Sequence, residues 1–159
     1  MLRPVDPALH ARDATAADRA HVLTMMRAFY AEDRLVFDPV RVGAGLDALL
    51  ANPMHGVVLL LGDGGDDGYL VLTRGFSLEQ GGTFALLDEL YVAPQARGRG
   101  LGAQALALAA ERSRAWGVAM LRLEVHHHNP RAKALYLRAG FVDGHRDMLT
   151  LPLDAPAAR

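Results

Sequence analysis

Residues 90–102 read LYVAPQARGRGLG and decide the fold of this chain. A strand leads into a turn with three glycines, Gly98, Gly100 and Gly102, and a helix begins inside that turn. The first N–H groups of a helix have no carbonyl partner, and the helix dipole is positive there. Because glycine has no Cβ, a ligand can approach this backbone closely. The stretch predicts a phosphate or pyrophosphate site, and a tight turn without a ligand is the alternative.

Two common nucleotide-binding motifs do not fit this turn. No Gly-Lys-Ser/Thr follows the glycines, so the turn is not a P-loop. A dinucleotide fingerprint spaces its glycines differently and follows the first strand of its domain, whereas this turn follows a predicted antiparallel hairpin. Arg97 and Arg99 are available for charge-assisted contacts to an anion in another kind of site.

Hydrophobic patterns around the turn predict one α/β (α+β) domain over residues 1–159 with a mixed central sheet. The ends, 1–11 and 154–159, are expected to be loose. The predicted helices cover about 16–31, 40–51, 101–116 and 129–139. The predicted strands cover 56–61, 69–73, 84–92, 120–125, 141–142 and 148–153.

Composition narrows the classes of protein to consider. The 159 residues are 51% hydrophobic and 22% charged, with a net charge of −1 and no cysteine. Without cysteine there is no disulfide, thiolate metal site or thiol nucleophile. A chain without basic excess is not expected to bind nucleic acid, and its short apolar runs do not predict a membrane span. We therefore expect a cytoplasmic protein.

Two motifs resemble the signatures of the GCN5-related N-acetyltransferase (GNAT) family. Arg97-x-x-Gly100-x-Gly102 resembles its acetyl-coenzyme-A signature, and Asn129-x-x-Ala132-x-x-x-Tyr136-x-x-x-Gly140-Phe141 resembles its second signature. The motifs occur in order with a predicted strand between them, and the resemblance covers roughly residues 12–153. It implies the GNAT acetyltransferase fold, with a mixed, mostly antiparallel sheet of about six or seven strands and about four helices. It also implies acetyl-CoA as donor cosubstrate, without a metal.

The resemblance implies roles for residues on the coenzyme side. Tyr136 matches a tyrosine that protonates the leaving sulfur, and a packed helix tyrosine is the alternative. Asn129 is expected to cap a helix, since Pro130 suits a first turn, and also to contact the coenzyme. A donor near Val92 is expected to stabilise the oxyanion. The expected coenzyme contacts are Leu90, Tyr91, Val92, Arg97, Gly98, Arg99, Gly100, Leu101, Gly102, Asn129, Ala132 and Tyr136.

On the acceptor side, Glu89 is the expected base, acting directly or through water. Strand alternation places Asp88 and Glu89 on opposite faces, so one of them is expected to face the acceptor. Asp88 is the second choice for the base. A strand carboxylate held in a salt bridge, without a role in catalysis, is the alternative for Glu89. His126, His127 and His128 do not predict a metal site, although one of them can relay protons. The expected acceptor-binding residues are Phe29, Tyr30, Glu32, Asp33, Asp88 and Glu89. Glu32, Asp33, Asp38 and Glu79 are expected to form an acidic mouth for a cationic amine, and a solvated acidic loop is the alternative.

The predicted function is transfer of acetyl from acetyl-CoA to a primary amine by direct attack in a ternary complex. A small cationic or amino-acid-like acceptor is favoured over a protein lysine or N-terminus. A non-catalytic acyl-CoA-binding regulatory module is the rival from another class. The resemblance also allows a homodimer, because many relatives form dimers through the end strands of the sheet.

Overall fold

The computed structural model describes residues 9–153. The predicted loose ends at 1–8 and 154–159 lie outside this range. The strands are β1 (Ala11–Asp13), β2 (Gly56–Leu61), β3 (Gly68–Ser77), β4 (Gly82–Val92) and β5 (Leu121–Leu123). The helices are α1 (Arg19–Glu32), α2 (Pro39–Ala51), α3 (Leu101–Ala115) and α4 (Pro130–Arg138). Two short 3-10 turns, Ala16–Asp18 and Pro94–Ala96, precede α1 and α3.

The five described strands form one sheet in the order β1-β2-β3-β4-β5. Neighbours are antiparallel except β4 and β5, which run parallel. Successive strand side chains point to opposite faces, so each central strand supplies two cores. One core packs against α1 and α2 and contains Val58, Tyr69 and Tyr91. The other packs against α3 and α4 and contains Leu70 and Leu106 among its buried residues.

A β-bulge at Asp88 interrupts the alternation of β4. Val71 of β3 pairs with Glu89, whereas the next residue, Leu72, pairs with Leu87, so Asp88 has no opposite number. Leu87 therefore packs in the core beside α3, and Glu89 follows Val71 to the face covered by α1. In a regular strand, residues 87 and 89 would share one face. The bulge thus directs the Glu89 carboxylate towards α1.

Beyond the bulge, β4 loses its second neighbour. Residues 85–87 pair with residues 121–123 of β5, and β5 ends there. The Ala93 N–H donates to the Asp67 carbonyl at 2.9 Å. The alternation of an antiparallel pair then turns the N–H and C=O groups of Leu90 and Val92 away from β3. The Val92 carbonyl accepts from the Arg97 side chain at 2.9 Å, and the other groups line an open slot of roughly 16 Å, the length of five extended residues.

The prediction of strands at 141–142 and 148–153 is wrong. Residues 141–152 have no regular secondary structure and Leu153 is a bend, so the described sheet has five strands rather than six or seven. Side-chain contacts hold the segment instead: Asp143 with Lys133, and Arg146 with Glu79. A strand requires a partner for its N–H and C=O groups, and the local alternation of residues cannot reveal whether one is present.

The start of the chain also differs from expectation. Ala11 pairs with Leu61 as part of β1, where the loose arm was expected to continue to residue 11. The first α-helix begins at Arg19 rather than at residue 16, because residues 16–18 form the tighter 3-10 turn. Among residues 9–153, no helix is long and apolar enough to cross a membrane.

Candidate active site

The glycine turn before α3 leaves its backbone open. Gly98 and Gly100 both have φ = +77°, a conformation that L side chains rarely adopt. A Cβ at either position would meet nothing within 4 Å, so the conformation rather than crowding requires glycine. Gly100 is the N-cap of α3 and supplies no side chain to its first N–H groups. The start of α3 therefore presents free donors of the kind that bind phosphate.

Gly102 serves a different purpose in the first turn of α3. A Cβ built on it would lie 3.2 Å from Cδ2 of Leu135 in α4. Glycine at this position therefore allows the two helices to approach each other. The two family-like motifs, one on each helix, meet at this contact.

Both arginines of the turn make contacts within the protein. Arg97 donates to the Val92 carbonyl at 2.9 Å and to both carboxylate oxygens of Glu32 at 2.8 Å. Arg99 donates to the Gln95 carbonyl at 3.3 Å and lies 3.9 Å from Asp67. The expected coenzyme residue Arg97 and the expected acceptor residue Glu32 thus form one ion pair, which ties the turn to the end of α1.

Glu89 is held by two phenol hydroxyls. Tyr30 of α1 donates to its Oε1 at 2.6 Å, and Tyr69 of β3 donates to its Oε2 at 2.7 Å. The pKa of Glu89 is raised on balance, because burial and the nearby Asp88 raise it more than the two hydrogen bonds lower it. Among residues 9–153, no basic side chain forms a salt bridge with Glu89.

Aromatic rings pack around the two tyrosines that hold this carboxylate. Phe29 packs edge-on against Tyr30 and Tyr69, with ring centroids 5.6 and 6.4 Å apart. Its ring also lies 6.3 Å from that of Tyr91. Phe37 closes the outer side of Tyr30 with an edge-on contact at 5.6 Å. Phe29 and Tyr30, both expected at the acceptor side, therefore pack against each other, and Tyr30 also contacts Glu89.

Asp88 lies at the bulge, and the residue as a whole is exposed to solvent. Its carboxylate is nevertheless partly desolvated by the adjacent chain, and this desolvation, together with Glu124, raises its pKa. Asp88 has neither of the hydrogen bonds that hold Glu89. The two carboxylates thus occupy different surroundings, and the bulge interrupts the regular alternation from which opposite faces were predicted.

Tyr136 and Asn129 lie together on α4. The Tyr136 ring packs against Phe141 with centroids 6.0 Å apart. Burial, and secondarily Asp33, raise the pKa of Tyr136, so its hydroxyl stays protonated at neutral pH. Asn129 accepts from the Ala132 N–H at 3.1 Å, which confirms the predicted cap. Asn129 also donates to Asp33 at 3.5 Å, linking α4 to the end of α1.

Two histidines converge on Asp33. Nε2 of His126 lies 3.3 Å from its carboxylate, Nε2 of His128 lies 3.6 Å from it, and the two imidazoles stack at 5.0 Å. Within the described part of the chain, no group of three or more potential ligands could hold a metal ion. Asp33 therefore belongs to a polar contact between α1 and the loop before α4.

The other carboxylates of the predicted acidic mouth have structural partners. Asp38 caps α2 by accepting from Val40 and Arg41 N–H groups. Glu79 pairs with Arg146, which lowers its pKa. Tyr69 is the residue that sequence reasoning missed, because only the β3–β4 register shows that it lies beside Glu89.

Comparisons with known proteins agree with this geometry. The model of the acetyltransferase (GNAT) family matches residues 27–141. An integron cassette protein from the mobile metagenome of Cole Harbour Salt Marsh is 34% identical, with 92% of this chain and 91% of that chain covered and a TM-score of 0.78. An acetyltransferase candidate from Arthrobacter sp. FB24 is 30% identical, with 97% and 99% covered and a TM-score of 0.73.

A more distant structure shares the fold. It is described as an acetyltransferase of Clostridium acetobutylicum with acetyl-CoA; identity is 15%, coverage is 91% of this chain and 96% of that chain, and the TM-score is 0.77. No curated protein sequence matches the chain. The confirmed features are the fold and the two motifs in their predicted positions.

Proposed function

The chain belongs to the GNAT acetyltransferase family, and on this premise we propose that it acetylates a small cationic primary amine. The family transfers acetyl groups from acetyl-CoA, and the open β4 backbone and the start of α3 suit that donor. The finer proposal concerns the acceptor and the residues that handle it.

The observation that carries the proposal is the unpaired carboxylate of Glu89. A buried charge is costly unless an opposite charge or hydrogen bonds compensate it. Tyr30 and Tyr69 supply hydrogen bonds, but no described residue supplies a cation. An ionised carboxylate can accept about four hydrogen bonds, so acceptor positions remain for an ammonium group. A protonated amine is the ligand that completes this site.

The donor, acetyl-CoA, would bind along the start of α3 and the open backbone of β4. The pyrophosphate would bind the N–H groups of residues 98–102 at the start of α3. The extended arm would pair with the backbone of Leu90 and Val92 in the slot where β5 has ended. An N–H group near Val92 would stabilise the oxyanion that develops on the thioester carbonyl.

Chemistry then requires three proton transfers, two from the nitrogen and one to the sulfur. Glu89 binds the ammonium and takes one proton from it, directly or through water, so that the neutral nitrogen attacks the thioester carbon. The C–N bond forms, the C–S bond breaks, and the nitrogen releases its second proton to solvent water, from which Tyr136 is later reprotonated. Tyr136 donates its hydroxyl proton to the departing thiolate, which a phenol held near sulfur can do. The products are the acetylated amine and the free thiol of the coenzyme.

A protein lysine or N-terminus is the second acceptor class. It is less favoured because Glu89 is half-buried and each of its carboxylate oxygens is already held by a tyrosine hydroxyl. A small amine reaches such a carboxylate without ordering a long peptide. A regulatory module without catalysis would not require both an enclosed carboxylate and a protonated tyrosine.

The test is coenzyme thiol release from acetyl-CoA with a panel of amines that includes polyamines, amino-acid derivatives, aminoglycosides and lysine peptides. We expect one class of small cationic amine to accelerate release and to appear as acetylated product by mass spectrometry. Acceleration by the peptides alone would replace the small-molecule acceptor. Coenzyme binding without acceleration by any amine would favour the regulatory module.

We also propose that two copies of the chain associate through the segment 141–153, here called the C-terminal arm. Its exposed apolar side chains are Val142, Met148, Leu149, Leu151 and Leu153. Five side chains on each of two arms, at about 100 Å² for each side chain, would cover on the order of 1,000 Å², which is near the lower limit for a specific interface. A second copy can bring an unpaired strand-forming segment of the same sequence.

A further inference from the structure

Two hydroxyls from different elements meet on one carboxylate. Tyr30 belongs to α1 and Tyr69 to β3, and each donates to a separate oxygen of Glu89, at 2.6 and 2.7 Å. The Tyr69 ring is fully buried. A phenylalanine would fill the same space as either ring, so packing alone does not explain the hydroxyl groups.

The hydroxyls can donate but cannot accept a proton from Glu89. Burial and the adjacent carboxylate raise the pKa of both Tyr30 and Tyr69 far above neutrality. Hydrogen bonds from a neutral donor to a carboxylate stabilise its charged form. The pair therefore opposes the burial that would otherwise favour protonated Glu89.

The ionisable groups that act on Glu89 come from three elements. They are Tyr30 of α1, Tyr69 of β3 and Asp88 on the same strand as Glu89. Asp88 disfavours a second negative charge nearby, so only the two tyrosines stabilise the ionised form. Because they come from separate elements, they also fix where the carboxylate points.

We infer that Tyr30 and Tyr69 are positioning residues that keep Glu89 ionised and aimed at the amine of the acceptor. The inference rests on the proposed function for its kinetic consequence, since Glu89 must be ionised to bind the ammonium and take its proton. The state of the carboxylate itself belongs to the free protein and can be measured without an acceptor.

The direct test is a titration of the Glu89 carboxyl carbon by NMR in 13C-glutamate-labelled protein. The chain has only five glutamates, and the Glu89 signal is identified by its loss in Glu89→Gln. A hydrogen bond to a charged group is worth enough to move a pKa by about one unit. We therefore expect the midpoint to rise by about one pH unit in Tyr69→Phe and in Tyr30→Phe.

Tyr136→Phe is the matched control, because it also removes a phenol hydroxyl but not one that contacts Glu89. Its Glu89 midpoint should equal that of the parent. An unchanged midpoint in both Tyr69→Phe and Tyr30→Phe would overturn the inference, and so would an equal shift in all three variants. The two substitutions lie in different elements, so a folding defect in one leaves the other readable.

Kinetics separate this inference from the proposed function. In Tyr69→Phe the acidic limb of kcat/KM should move up by about one pH unit. The same substitution in a Glu89→Gln background should cause no such movement. A parent enzyme that acetylates no amine contradicts the proposed function alone. An active parent whose acidic limb does not move in either tyrosine variant contradicts the positioning role alone.

Discussion

At Glu89, partial burial disfavours the charged carboxylate that the proposed function requires. The residue is half-buried beside Tyr30 and Tyr69, and this partial burial raises the pKa of its carboxylate. Tyr30 and Tyr69 reduce that cost without supplying a positive charge. We expect a protein to retain such a carboxylate where a ligand provides the missing cation.

Tyr136→Phe should lower kcat at least tenfold while changing the KM for acetyl-CoA by no more than about threefold, because general acid catalysis typically contributes two to four orders of magnitude. The ring, which packs against Phe141, is kept. Steady-state thiol release at saturating amine measures both quantities. Equal kcat in variant and parent would remove Tyr136 from the mechanism.

At this scale the sequence predicts residues whose role is local. The Asn129 cap followed from the Asn-Pro pair, because a cap and its helix are adjacent in the chain. The partner of Glu89 on β3 could not be predicted, since Tyr69 lies twenty positions away and only strand register brings it near. The ion pair between Glu32 and Arg97 was unpredictable for the same reason.

At the level of secondary-structure elements, two features shape the candidate site: the bulge in β4 and the early end of β5. The bulge gives Glu89 to the α1 face, and the short β5 leaves the Leu90 and Val92 backbone open. Helix limits were predicted well because caps, prolines and glycines mark them locally. The bulge, and the lack of strands at 141–142 and 148–153, could not be predicted because both depend on the pairing of neighbouring strands.

Gly100→Ala should destabilise the protein by about 1–2 kcal/mol, because a residue with a side chain at φ = +77° is strained. It should also weaken coenzyme binding by disturbing the start of α3. Thermal unfolding and acetyl-CoA titration measure the two effects.

Gly45→Ala is the matched control for that change. Gly45 lies inside α2, and a Cβ there meets nothing within 4 Å. Alanine should leave coenzyme binding unchanged and stabilise the helix by up to about 1 kcal/mol. If both substitutions weakened binding equally, the turn conformation would not be the cause.

In the whole molecule, the residues of the candidate site are associated with both hydrophobic cores. The α1 and α2 core lies on the face of the sheet to which Glu89 points. The α3 and α4 core includes Tyr136 and buried side chains of α3, the helix that follows the glycine turn. The mixed fold was predictable from the order of its elements. The exposed C-terminal arm was not, because its apolar alternation predicted strands that the described sheet does not contain.

The parent should behave in light scattering as a particle of twice its 17.1 kDa mass. Leu149→Asp combined with Leu151→Asp should halve that mass, because both side chains are exposed on the arm, by 90% and 78%. Met54→Asp, a change at another exposed apolar residue, should leave it unchanged. A monomeric parent would contradict association through the arm.

The most direct test of the central claim compares Glu89→Gln with the parent on two acceptors. One is the best cationic amine from the panel, and the other is an amine of similar size that is uncharged at the assay pH. Losing a charged hydrogen-bonding partner costs about 1.5–3 kcal/mol, so kcat/KM for the cation should fall at least tenfold. The neutral amine should lose clearly less, and the KM for acetyl-CoA should stay within about twofold. Equal losses on both amines, or no loss on the cation, would contradict Glu89 as the site that selects a cationic acceptor.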